Sequence, residues 1–373
     1  MKKLTAAFIC AVALILLSTT LSASAFKPIY EVMYQYTQVT SDPHYDRDSS
    51  FFQAADHTYW LFFARGRDAR GVRGVDGYEP DSDFYDVYYK TSPTISGLAN
   101  ASEILIPLTP PDNAQKDIAA LQTSDGTIWV FVSTGLGEGT ERSIYYYTYD
   151  GTWHGPTAVP GTDYAAHISA LEYDGKLWVF FDLGYTLYCT AYDEDAEEWS
   201  TNVLVANNAT IAKASVIDNE FYVVWSFVNE IENIWGSGIY LSSSTDGTTW
   251  QTTADPIAQY PLDGATNWDP VLTKENEFFK LIWAPDIGTY GQILAITKST
   301  TPKDASSWSS PVSLTSSSFG EKNWWDFWPQ VFTNGLEYVF FTSERNSSAT
   351  DRIDGNIWIM DKVVNYYLPL VFR

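Results

Sequence analysis

Cysteine is nearly missing from this chain of 373 residues, which holds only Cys10 and Cys189. A disulfide-stapled fold is thereby excluded, and there is no His/Cys spacing of the zinc-binding kind. Positive charge is scarce as well: 22 Lys and Arg stand against 46 Asp and Glu, for a net charge of −24. Such a surface repels nucleic acid and anionic membranes. Helical periodicity is absent almost everywhere after residue 26, and no phosphate loop or nucleophile elbow is present. Outside residues 4–19 no stretch approaches the roughly 20 apolar residues that span a bilayer.

The N-terminus has the order of a secretory signal. Lys2 and Lys3 precede the apolar run, and Ala23-Ser24-Ala25 offers a small-residue cleavage site before Phe26. Residues 1–25 are therefore expected to be removed, leaving residues 26–373 as a single secreted domain with no membrane attachment. Cleavage takes two lysines and no acids, so −24 − 2 gives −26, and Cys189 is left without a partner. Aromatic residues make up 16% of the chain, so a large core is available without disulfides.

One pattern recurs six times: a short apolar strand, a turn, then a dense aromatic strand. The second strands are YWLFFAR (59–65), TIWVFVST (127–134), KLWVFFD (176–182), EFYVVWSF (220–227), EFFKLIWA (277–284) and EYVFFTSE (337–344). Anchored on Trp60, Trp129, Trp178, Tyr222, Phe279 and Tyr338, the intervals are 69, 49, 44, 57 and 59 residues. That is the length of a four-stranded propeller blade. A third strand follows each, and in four cases an Asp-containing turn precedes a Trp: Trp153, Trp199, Trp250 and Trp308. The expected fold is all-β, a six-bladed β-propeller of four-stranded antiparallel blades. The last repeat lacks a clear fourth strand, and IYEVMYQYTQV (29–39) is expected to supply it and close the ring.

In such a fold the innermost strands begin around one central pocket. Counting back twelve residues from the anchors reaches Asp48, Asp117 and Asp326. The other repeats offer Asp269, His167 and Lys213 near the same place. Carboxylates converging on a pocket are what glycosidic hydrolysis requires, one protonating the leaving oxygen and another activating water or attacking carbon. Asp48, Asp117, Asp269 and Asp326 are the candidate catalytic acids. Trp268, Trp325 and Trp328 are candidate platforms for sugar rings, beside Trp324. Asp before a strand is also an ordinary turn residue, and repeats copy structural positions.

The segment STDGTTW (244–250) resembles the Asp-box of sialidases and related propellers. Arg47-Asp48-Ser49-Ser50, followed by YWLFFAR, Gly66-Arg67 and YDVYYKTS, resembles a first sialidase blade. That resemblance implies that Arg47 and Arg67 hold a substrate carboxylate, that Asp81 or Asp83 is the acid/base, and that Arg345 is a further arginine of the site. Asp48-Ser49-Ser50 with Thr58-Tyr59-Trp60-Leu61, and Trp268-Asp269-Pro270, resemble glycoside hydrolase family 43. There Asp48 would be the general base and Asp117 would tune the acid. His167 joins the substrate-binding candidates by position.

The expected function is that of a secreted glycoside hydrolase acting on an oligosaccharide or glycan, and the chain is expected to be monomeric. The alternative from another class is a glycan-binding or surface-interaction propeller without catalysis. No cofactor is expected; the acidic run Asp193-Glu194-Asp195 with Glu197 and Glu198 could hold a structural calcium but lacks the EF-hand spacing, and a solvated turn is the expected reading. Asn100, Asn208 and Asn346 match glycosylation acceptors, and the loop at 66–84 alternates arginines and acids, as a solvated loop or, in the alternative, a mobile rim over the pocket.

Overall fold

A computed structural model describes residues 29–42, 44–67, 85–108, 114–135, 142–288, 291–315, 324–345 and 355–367. The leader 1–25, Asp81, Asp83, Asn346, the rest of the loop at 68–84 and residues 368–373 of the C-terminal segment YYLPLVFR (366–373), to which the sequence assigns no function, lie outside the described residues. By its internal contacts the chain divides into Tyr36–Met360 and a smaller unit of Met1–Gln35 with Asp361–Arg373. Among the described residues no helix is long and apolar enough to cross a membrane.

Six antiparallel hairpins recur along the larger unit. Their first strands are Asp46–Gln53, Ala114–Gln122, Ala165–Tyr173, Ala209–Ile217, Thr266–Glu275 and Trp324–Asn334. Each pairs with the aromatic strand that follows it. The arrangement is all-β and propeller-like, but it does not separate into six sheets as expected. Hydrogen bonds join the hairpins into four sheets. Parallel pairing of Tyr85 with Ala114 fuses repeats one and two, and pairing of Gly291-Gln292 with Trp324-Trp325 fuses five and six. The two-residue strand Ile104–Leu105 covers only Tyr88 and Tyr89 of the third strand of repeat one, which leaves Tyr85 to pair with the next repeat.

Apolar side chains pack mainly between neighbouring repeats. Phe131, Val179 and Phe181 join repeats two and three, and Phe180, Phe221 and Trp225 join three and four. Leu61 and Phe63 of repeat one pack with Phe340, Ile357 and Ile359 of repeat six, so the series of interfaces returns to its start. The strand Ile29–Gln38 runs beside Asn356–Tyr367, at the place expected for the N-terminal strand. Val39 N–H donates to Ile357 O at 2.8 Å. Because β-branched and aromatic side chains alternate on pleated strands, each repeat buries both faces against its neighbours.

Every first strand carries a bulge at the same point. The register slips between Arg47 and Ser50, Lys116 and Ala119, Ala166 and Ser169, Thr210 and Lys213, Trp268 and Val271, and Phe327 and Gln330. Within each slip one residue is left-handed: Asp48 (φ 52°), Asp117 (55°), His167 (51°), Ile211 (51°), Asp269 (51°) and Trp328 (50°). Asp and His tolerate that backbone better than most residues, which gives a structural reason for acids at this register.

Two of the register assignments are thereby corrected. The sixth hairpin turns from Asn334 to Leu336, whereas the first turns from Gln53 to Tyr59. Counting back twelve from Tyr338 therefore overshoots, and Trp328 stands where Asp326 was expected. In repeat four the position belongs to Ile211, two residues before Lys213.

The turn around Asp246 shows how a repeat is locked to its neighbour. Asp246 Oδ1 accepts the N–H groups of Thr248 and Thr249, both at 2.8 Å, which hold its carboxyl well below the usual range. Trp250 then packs edge-on against Phe180 of repeat three, with centroids 5.8 Å apart. Gly247 has φ +71°, and a Cβ there would lie 2.2 Å from the Trp178 ring. Gly126 has φ +95° but open space around it. Gly126→Ala is expected to cost about 1 kcal/mol from backbone strain alone, and Gly247→Ala clearly more. Chemical denaturation of both variants checks this; equal losses would remove the Trp178 contact as a constraint.

Candidate functional site

The six bulges converge. Asp48, Asp117, His167, Ile211, Lys213 and Trp328 all line one cavity of about 20 Å³. That is room for about a single water. The residues come from five of the six repeats, and the sixth contributes next to it, because Asp269 accepts the Trp328 N–H at 3.3 Å.

The acids of this ring hold the repeats together. Asp48 Oδ2 accepts the N–H of Asp117 at 3.0 Å. Asp117 in turn accepts the N–H of His167. Two residues further along, a second tier repeats the device with different side chains. Ser50 Oγ accepts from Ala120 N at 2.8 Å and Ser169 Oγ from Ala214 N at 3.0 Å. Gln330 Oε1 accepts from Phe51 N at 3.0 Å, linking repeat six back to repeat one. The outer oxygens Asp48 Oδ1, Asp117 Oδ2 and Asp269 Oδ1 are buried without a hydrogen bond.

Bases are interleaved with these acids. Arg47 pairs with Asp48 at 3.0 Å and lies 3.9 Å over the Trp328 ring. Arg142 approaches Asp117 at 3.7 Å and keeps 43% of its side chain exposed. Lys116 sits 4.9 Å over the Tyr85 ring. Lys213 reaches toward the axis, donating to Ile168 O at 3.3 Å. His167 Nδ1 is 2.8 Å from Asp182 Oδ1, and Thr210 Oγ1 donates to Asp182 Oδ2 at 3.0 Å.

Titration follows from this geometry. Burial pushes the Asp269 carboxyl up to about 7, against the opposing pull of the Trp328 N–H and of His167 and Lys213. Burial also raises Asp48, beyond what Arg47 restores. For Asp117, burial opposes ionisation, but His167, Arg142 and Arg47 outweigh it and hold the group low. Burial disfavours the His167 imidazolium, yet Asp182 and Asp117 overcome that and raise the group to about 9. Burial lowers Lys213 despite Asp48, Asp269 and Asp117 nearby.

The other sequence candidates lie elsewhere or are engaged. Asp326, fully buried, pairs with Arg345 at 2.9 Å, and that guanidinium stacks near Tyr36, Phe341 and Trp358. Arg67 grips both oxygens of Asp86, at 2.6 and 3.0 Å. Trp268 is half-buried, its Nε1 donating to Thr266 at 2.7 Å and its ring against Gly236 of the preceding repeat. Trp325 is half-buried in the strand that pairs with Gln292. Lys116, Arg142, Asp182 and Thr210 were not among the sequence candidates. Lys116 had a signal, since Lys116-Asp117 repeats the Arg47-Asp48 dipeptide at the same register. Among the described residues no group of His, Cys, Asp and Glu could hold a metal ion.

The pKa shifts fix a stability profile. Asp269 at about 7 lies above its unfolded value near 4, so the folded state holds a proton that the unfolded chain has lost between those values. Stability is thus lost as pH rises from about 4 through 7. His167, raised to about 9, adds a contribution that is complete below its unfolded value near 6.5 and fades through about 9. Asp269→Asn is expected to melt several degrees above wild type at pH 8 and to converge with it at pH 4. Melting curves across that range check this, and parallel profiles would remove Asp269 as the titrating group.

No protein-family model matches the chain, and no curated protein sequence does. Solved structures do match. A protein of unknown function from Dyadobacter fermentans aligns with a TM-score of 0.65 and 12% identity, over 90% of this chain and 99% of its own. The endosialidase of phage phi92 gives 0.61 and 10%, over 91% of this chain and 70% of its own. The Trypanosoma rangeli sialidase, in complex with the inhibitor DANA, gives 0.57 and 10%, over 88% and 59%. This chain therefore spans well under two thirds of the length of that sialidase. At these identities the likeness is one of fold, and the fold is that of the sialidase-like β-propeller.

Proposed function

We propose that this is an exported, monomeric six-bladed propeller, residues 26–373, that binds a glycan at the mouth above the ring of bulges. The observation that carries this is the cavity itself. At about 20 Å³ it holds a water and excludes a pyranose, so a sugar rests on the mouth and does not enter the ring. The carboxylates beneath are committed to neighbouring N–H groups and to Arg47 and Arg142, whereas Trp328 lines the cavity and Lys116, over the Tyr85 ring, has no carboxylate partner among the described residues. An aromatic face beside charged donors suits a sugar ring with its hydroxyls. That one phage neighbour is an endosialidase and another neighbour is a sialidase is consistent with a glycan ligand, although fold alone does not transfer activity.

Hydrolysis, with Asp48, Asp117 and Asp269 as the sequence suggested but without Asp326, which is buried against Arg345, is the second reading. One observation favours it: Asp269 titrates near 7, where a proton donor is useful. A glycan array and a panel of aryl glycosides, sialosides and arabinosides separate the two. Glycan capture without turnover, weakened at least tenfold by Trp328→Ala, is the expected result. Turnover abolished by Asp48→Asn or Asp269→Asn would replace binding with hydrolysis. A folded protein that neither captures nor cleaves any glycan would overturn both.

A further inference from the structure

Resting on the reading of the mouth as a glycan site, we infer that His167, held by Asp182, is the group that binds an anionic substituent of the ligand, a carboxylate or a sulfate ester. The arginines that the sialidase resemblance assigned to a substrate carboxylate are taken: Arg47 by Asp48, Arg67 by Asp86 and Arg345 by Asp326. His167 differs from them. Its Nδ1 is fixed on Asp182, whose second oxygen is held by Thr210, so the ring is oriented from behind. Nε2 has no hydrogen-bond partner among the described residues. The side chain keeps 28% of its surface exposed while lining the central cavity, and Asp182 is 7% exposed.

A ring nitrogen donating to a carboxylate leaves the other nitrogen as the outward donor once the imidazole is protonated. The surrounding charges favour that state and an anion in front of it. Arg47, Lys116, Arg142 and Lys213 stand with His167 around this ring, against Asp48, Asp117, Asp182 and Asp269. Five bases against four acids, of which Asp269 holds its proton up to about pH 7, is a local excess of positive charge in a chain of net −24. Lys116 has no carboxylate within ion-pair distance among the described residues, so it can supply a second contact. Against the opposing effect of burial, the Asp182 and Asp117 charges keep the imidazole protonated to about pH 9, so the anion contact persists through neutrality.

The Asp182–Thr210 bond also ties repeat three to repeat four, so the test needs a readout that a purely structural role would leave unmoved. Methyl β-D-glucuronide and methyl β-D-glucoside differ only in the carboxylate. Their binding is followed on the wild-type protein by the imidazole nitrogen resonances of its four histidines and by the Trp328 indole N–H. His167 is identified from His167→Gln or, if that variant does not fold, by elimination with His44→Gln, His57→Gln and His154→Gln. The glucuronide, but not the glucoside, is expected to shift His167 Nε2, with affinity falling about tenfold as the imidazolium deprotonates between pH 7 and 10. Glucose 6-sulfate in parallel distinguishes a sulfate from a carboxylate source. Asp182→Asn should move the loss of affinity to lower pH. If either sugar shifts Trp328 while His167 stays silent, or if both sugars move His167 alike, the anion role is overturned and the glycan reading survives. If neither resonance responds to any of the sugars, both are overturned.

Discussion

The structure depends on one hydrogen bond made again and again: a side chain at a bulge accepts the backbone N–H of the next repeat. A bulge leaves an N–H and a bent strand that the ladder cannot satisfy. At the ring of bulges, Asp48, Asp117 and Asp269 satisfy the next repeat's N–H. Just outside, Ser50, Ser169 and Gln330 do the same. Carboxylates near an axis are thus explained by the needs of the fold before any chemistry is considered. The apolar interfaces between repeats supply the bulk of the burial, and these polar latches fix the register in which neighbours meet.

The cost of that solution is a set of buried acids close together. The protein meets it in several ways. Arg47, Arg142 and His167 supply countercharge, Lys213 enters from the repeat whose bulge residue is Ile211, and Asp269 takes up a proton near neutrality. Asp326 and Asp46, two residues before the bulges of repeats six and one, are each matched to an arginine, Arg345 just past the end of the paired strand and Arg65 on it. The mouth becomes locally basic in an acidic protein. Compensating buried carboxylates and attracting an anionic ligand are then two consequences of the same cations.

The repeats, their aromatic strands and the strand joining the last repeat were legible in the sequence, because period-2 alternation and turn residues record local physics. Spacing reached Asp48 and Asp117, whose hairpins share a length, and His167 and Asp269 as the ionisable residues nearest the same place in shorter hairpins. It failed at Asp326, where the hairpin is two residues shorter than the first, and at Lys213, where the bulge residue is the uncharged Ile211 and nothing in the composition marks it. Lys116 was within reach through its dipeptide match to Arg47-Asp48. Arg142, Asp182 and Thr210 were not, for they sit on other strands and meet the site only when repeats pack.

The sequence by itself determined that this chain is acidic, β-rich and repetitive, with acids recurring at strand starts, because charge balance, alternation and turn preference are properties of neighbouring residues. Tertiary structure decided the rest: that those acids latch repeats together, that the arginines are already paired, and that the axis holds a water-sized space. Each of these depends on which side chains meet across repeats some fifty residues apart, and a distance of that kind is set by packing.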